Sequence, residues 1–336
     1  MLFLDQLEGA HTNSSPSIYR AGNPTRRQTL VFAKANPGTT TKPTDCAIFG
    51  SMRSEQHRSR NISTIQYEIA PENWTPDDEN PFTSDGTYGN GWSCFSTTAD
   101  FEFRFFTGRS KSGCWSIQFR KGNQEYQEHL GDFLIYENGN YRTVILDLEK
   151  KDEAKQIVAR CLGETLMSGF RRSNDAQYMV HSTTEEAWRS IEASGELTAA
   201  AFLRERWNFD DEDNGTDAYL KDEPPEYKEY IMLGGIDTMA PELVVASYQA
   251  RKFISDPDVQ YEPGVRIYIR NYAIIDDQLD VRDGIHPMKV HKRIAIGRYL
   301  ETAIRASNLE LMPGEEYWTP KLFVQKANAA FQEAAG

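Results

Sequence analysis

The rhythm of apolar and polar residues changes twice along the chain. Residues 10 to about 60 are poor in apolar side chains and dense in Ser, Thr, Asn, Pro and Arg, as in HTNSSPS at 11–17 and RSEQHRSRN at 53–61. That composition predicts a loop-rich or disordered segment over 1–61, with one short strand at Gln28–Ala33. From about residue 62 short runs of β-branched and aromatic residues follow: Thr64–Ala70, Phe101–Phe106, Cys114–Arg120, Phe133–Glu137 and Tyr141–Leu148. Asn138-Gly139-Asn140 between the last two is a hairpin signal, so residues 62–150 are predicted to form an antiparallel β-rich domain.

The second change comes at residue 151. Ala154, Ile157, Val158, Cys161 and Leu162 recur at helical spacing and predict a connecting helix within 151–176. Strands and helices then mix over 177–336. Gln177–Val180 reads as a strand, followed by a helix with Thr184 as N-cap, Glu185 and Glu186 in its first turn and Gly195 as its stop. After an acidic loop over 210–229 come a strand at Ile231–Gly235, a helix at Pro241–Phe253 and strands at Val265–Asn271 and Ile285–His291. A helix at Ile296–Ala306 is predicted last. The fold class expected is α+β, an antiparallel β-rich region joined to a mixed α/β domain.

Charge and cysteines narrow the partners. Of 336 residues, 37 are Lys or Arg and 50 are Asp or Glu, a net charge of −13. This balance tells against a surface built to track nucleic-acid phosphates. No apolar run approaches the ~18–20 residues that span a bilayer. The opening MLFLDQLEG has no basic start of a secretory leader. An intracellular, cytoplasmic protein without a membrane partner is therefore expected. Cys46, Cys94, Cys114 and Cys161 show no C-x-x-C spacing, so no metal is expected. No G-x-G-x-x-G, P-loop or G-x-S-x-G is present.

The informative segment is YMVHSTTEEAWRSIEASGEL at 178–197. It resembles the opening motif of the ADP-ribosyltransferase superfamily: Tyr/Phe-His-Gly-Thr, a helix containing Ile, then Gly-Leu. The RNA 2′-phosphotransferases are nearest in pattern, with the His-type transferases behind them. The order of the later elements extends the resemblance over about 178–300. It implies NAD as co-substrate and transfer of ADP-ribose to a macromolecular acceptor, protein or nucleic acid, with release of nicotinamide. RNA 2′-phosphate transfer, or a catalytically silent binding module on the same fold, are the alternatives. The resemblance assigns His181 to a ribose and Ser182 and Thr183 to the nicotinamide end. Tyr230 and Tyr248 are its candidate stacking rings, and Asp283 or His286 would act on the acceptor. Arg266 and Arg270, four apart on one strand, share a face and are candidates to clamp a phosphate. Each has a plain alternative: a satisfied strand histidine, packed tyrosines, an Asp-Gly turn, a solvated strand edge. The sequence also departs from the pattern. Ser182 stands at the family's glycine, Asp283 near its closing glutamate, and YIMLG at 230–234 lacks a His-x-His.

Overall fold

The computed structural model describes residues 65–102, 104–167, 176–207 and 223–335. The segment 1–61, with the strand expected at Gln28–Ala33, lies outside them. The first sheet comprises β1 (Tyr67–Ile69), β2 (Trp92–Ala99), β3 (Phe105–Arg109), β4 (Trp115–Arg120) and β5 (Thr143–Asp147), in the order β1-β5-β2-β4-β3. β1, β5, β2 and β4 run parallel, and β3 alone is antiparallel, to β4.

The antiparallel region expected over 62–150 is thus corrected to a mostly parallel sheet, and one segment accounts for it. Residues Tyr126–Gly139 form helix α1, where a strand at Phe133–Glu137 and a hairpin at 138–140 were expected. α1 carries the chain back across the sheet, so β5 enters beside β2 in the same direction. The run FLIYE hides its helical period because α1 is buried on more than one side. Leu130, Phe133 and Leu134 join Phe95 and Phe119 in the core, while Tyr136 meets Tyr227 and Tyr230 edge-on. Helix α2 (Ala154–Met167), preceded by a 3-10 turn at Lys151–Glu153, agrees with the expected connecting helix and lies against α1.

The chain continues through β6 (Tyr178–Thr183), α3 (Glu185–Ser194), β7 (Glu196–Thr198) and α4 (Ala200–Trp207). A 3-10 turn at Pro225–Glu229 then leads to β8 (Tyr230–Gly235), α5 (Ala240–Ala250), β9 (Val265–Arg270) and α6 (Asn271–Asp276). The last elements are β10 (Asp280–Val281), β11 (Met288–His291), β12 (Arg293–Ala295), α7 (Ile296–Tyr299), β13 (Leu300–Arg305) and α8 (Pro320–Ala335). Six of the strands form an antiparallel sheet in the order β10-β11-β8-β6-β9-β13, and β7 pairs with β12. The helix expected at Ile296–Ala306 is corrected to a single turn followed by β13, which covers the edge of β9. The class is α+β.

Side-chain alternation gives this sheet two distinct faces. Met179, Ile231, Leu233, Ile267, Ile269, Met288 and Val290 share one core with Trp188 and Ile191 of α3 and Ile274 of α6. The other face is divided. Tyr230, Met232 and Val281 join the core of the first sheet. Val180 and Tyr268 lie beneath α8, whose Phe331 stacks on Tyr268 with ring centroids 4.1 Å apart.

Candidate functional site

The turn before β11 is pinned to α1. Gly284 has φ +76°, and its carbonyl accepts a hydrogen bond from His129 Nδ1 at 2.7 Å. This docking places Asp283, fully buried, at the joint between the two sheets. Its Oδ1 accepts the backbone N–H groups of Ile285 and His286 at 2.9 and 2.8 Å. Its Oδ2 accepts from the Tyr227 hydroxyl at 3.1 Å and from His286 Nδ1 at 2.9 Å, and pairs with Lys289 Nζ at 2.8 Å. Lys289 is also fully buried, because Met288 and Val290 on either side face the apolar core and turn it toward the joint. Its ammonium lies 3.8 Å from the ring centres of Tyr136 and Tyr227 and 4.7 Å from that of Tyr230. This is a cation–π cage built from α1, the 3-10 turn and β8. Beside it, Arg142 binds Glu137 of α1 and, at 2.5 Å, Glu226.

Burial would raise the Asp283 pKa, but Lys289 and His286 outweigh it and hold this carboxyl well below the usual range. Burial pushes the Lys289 ammonium down, against the pull of Asp283. Glu223 is 5% exposed, and among the described residues neither of its carboxylate oxygens has a hydrogen-bond partner. Burial pushes it up to about 7, while His286 and Lys289 pull the other way. A carboxyl raised in the folded state stabilises most below its ordinary pKa and loses that contribution as pH rises to the folded value. Glu223→Gln should therefore match the parent near pH 4 and exceed it at pH 8 by up to about 3 kcal/mol. Urea titrations between pH 4 and 8 check this; parallel curves would show that Glu223 ionises as in water.

Chemically, the cluster contains a histidine oriented by a buried carboxylate. Asp283 fixes the His286 tautomer with Nδ1 protonated, which leaves Nε2 to accept a proton on an imidazole whose side chain keeps 13% exposure. His291 instead pairs with Glu229 at 3.2 Å. Among the described residues no three His, Cys, Asp or Glu side chains converge as a metal site. Among these residues, too, no helix is long and apolar enough to cross a membrane.

The structure brings together Asp283, His286 and Tyr230 of the residues named from the sequence, and separates the others. His181 is half-buried on β6, paired with Ile267, on the face opposite Lys289 and Asp283. Its Nδ1–H donates to the Met232 carbonyl at 3.3 Å, and burial lowers its pKa. Thr183 shares that face. Ser182 points to the other one, as strand alternation requires, and donates to Glu242 at 2.5 Å. Arg266 is fully buried there, with Glu242 at 2.6 Å and the Ile236 and Thr238 carbonyls at 2.7 and 3.1 Å. A phosphate clamp needs an accessible guanidinium, so Arg266 is corrected to an internal ion pair. Arg270, at the end of β9, binds Glu301 of the edge strand β13 at 2.6 Å, and Tyr248 is exposed on α5. Thr184 and Gly195 cap α3 as their residue types predict, the first accepting from Ala187 N–H and the second at φ +72°.

Lys289, Tyr136, Tyr227 and Glu223 were not legible as site residues. A lysine between Met288 and Val290 reads as the solvent face of a half-buried strand, and Glu223 as part of an acidic loop. Comparison with protein-family models, with curated proteins and with solved structures finds no match to this chain.

Proposed function

We propose that His181, a half-buried polar side chain on the helix-covered face of the second sheet, is the ribose contact for a dinucleotide of the NAD type, and that the chain acts as a binding module. One observation carries it. His181 Nδ1 is tethered to the Met232 carbonyl, so the ring is held on a central strand with Nε2 as its hydrogen-bond acceptor. A ribose hydroxyl is a fitting donor, and the resemblance over 178–300 supplies the ligand class. Asp283 and His286, the candidate groups for acceptor chemistry, lie across the sheet from His181. Binding is therefore favoured over transfer of ADP-ribose.

The test is calorimetric titration with NAD, together with an assay of nicotinamide release, on the parent chain and a folded His181→Ala variant. NAD should bind without nicotinamide release, and the variant should bind about tenfold more weakly, the worth of one hydrogen bond. Nicotinamide release abolished by His181→Ala would make the protein an ADP-ribosyltransferase instead. NAD-dependent loss of phosphate from a 2′-phosphorylated RNA would make it a phosphotransferase. No NAD binding by the folded parent chain would overturn the proposal.

A further inference from the structure

We infer that the chain holds a second ligand site, in the cleft where residues 224–226 meet the first sheet, and that it takes a small planar ring carrying one anionic group. The cleft is of about 230 Å³ and opens to solvent. Its walls include Trp92 at the start of β2, Trp115 at the start of β4, Arg109 at the end of β3, Arg142 before β5, Pro224 and Pro225, and Glu226, whose carboxylate is held by Arg142. An apolar cavity of about 150 Å³ takes a benzene ring, so this volume suits a ring with a substituent. It also sits where two structural units join, a common place for ligand sites.

The aromatic walls are already fixed in orientation. Trp92 stacks on Phe82 with planes 11° apart and centroids at 5.9 Å. Trp115 is almost fully buried, edge-on to Tyr227, and its Nε1–H has no hydrogen-bond partner among the described residues. The two arginines differ in charge available to a ligand. Arg142 is already paired with Glu137 and Glu226, and these carboxylates outweigh its burial and hold its pKa above the usual value. Arg109 gives one hydrogen bond, to the Gly113 carbonyl at 3.2 Å, and meets no carboxylate among the described residues. A guanidinium has five N–H donors, so Arg109 has donors left for an anion while the part-exposed Trp92 takes the ring over the buried Trp115. The site shares no residue with the face that carries His181, and its test is independent of the NAD proposal.

Calorimetry with adenosine monophosphate and with 4-hydroxyphenylacetate covers the two sources of this chemistry, a nucleotide and an aromatic acid. Inorganic phosphate and adenosine present the anion and the ring separately. At least one of the two complete probes should bind, more tightly than either half. Arg109→Gln should weaken it about tenfold or more without lowering the melting temperature, and Arg109→Lys should weaken it less. Trp92→Leu should remove part of the ligand-induced change in tryptophan fluorescence. The inference is overturned if neither complete probe binds at millimolar concentration, if phosphate alone binds as well, or if Arg109→Gln leaves binding unchanged.

Discussion

Lys289→Met should destabilise the chain by about 3–5 kcal/mol, the usual cost of removing one partner from a buried ion pair. The methionine fills much of the same volume, so the loss is electrostatic. It leaves the Asp283 carboxylate fully buried, facing Tyr227, His286 and two backbone N–H groups but no ammonium. The double variant Lys289→Met/Asp283→Asn should regain most of that loss, because no unpaired charge remains. The pH dependence has a definite sign. In the parent chain the Asp283 pKa is depressed, so its contribution is present above the ordinary carboxylate pKa of about 3.9 and is lost as pH falls below it. Without Lys289 the carboxyl titrates higher, and the penalty should be greatest at neutral pH and shrink toward pH 4. Urea unfolding of the three proteins at pH 4 and pH 7 measures both effects. A single variant within 1 kcal/mol of the parent at pH 7 would mean that Lys289 does not neutralise Asp283 in solution.

Which parts of the fold were legible depended on how the chain buries each element. α3 was readable to its caps because Trp188 and Ile191 define one apolar stripe and Thr184 and Gly195 supply local end signals. β6, β8 and β9 were readable because short apolar runs sit between polar connections. α1 was not, since a helix buried on several sides loses its stripe and FLIYE then resembles a strand. β13 was not because ETAIRA carries both periods, and only the open edge of β9 decides between them. The site was legible in part for a related reason. Asp283 and His286 stand three apart on one turn, a local pattern. Lys289 belongs with Tyr136 and Tyr227 only through a contact 153 residues wide at its largest, between β11 and α1, and no local spacing encodes it. His181 and Asp283 were named from one resemblance, but alternation along the strands puts His181 on the face of the sheet opposite Lys289 and its partner Asp283.

Gly284→Ala should cost about 3 kcal/mol, combining a side chain at positive φ with overpacking against fixed backbone. A Cβ at this position would lie 2.4 Å from the His129 carbonyl oxygen and 2.8 Å from the backbone nitrogen of Phe133, so no side-chain rotation relieves it. Either α1 or the turn must move, and with it the carbonyl that binds His129 and the Asp283 that holds the Lys289 cage. At the 2–4 °C per kcal/mol usual for larger domains, the melting temperature should fall by roughly 6–12 °C. Gly195→Ala is the matched control. Gly195 has almost the same φ, +72°, but nothing lies within 4 Å of where its Cβ would be. That variant should show the conformational cost alone, about 1 kcal/mol. The difference between the two isolates the close approach of the β11 turn to α1, since backbone strain is common to both. Equal losses in the two variants would show that the turn does not rest on α1, and the contact joining the two sheets through Asp283 would have to be abandoned with it.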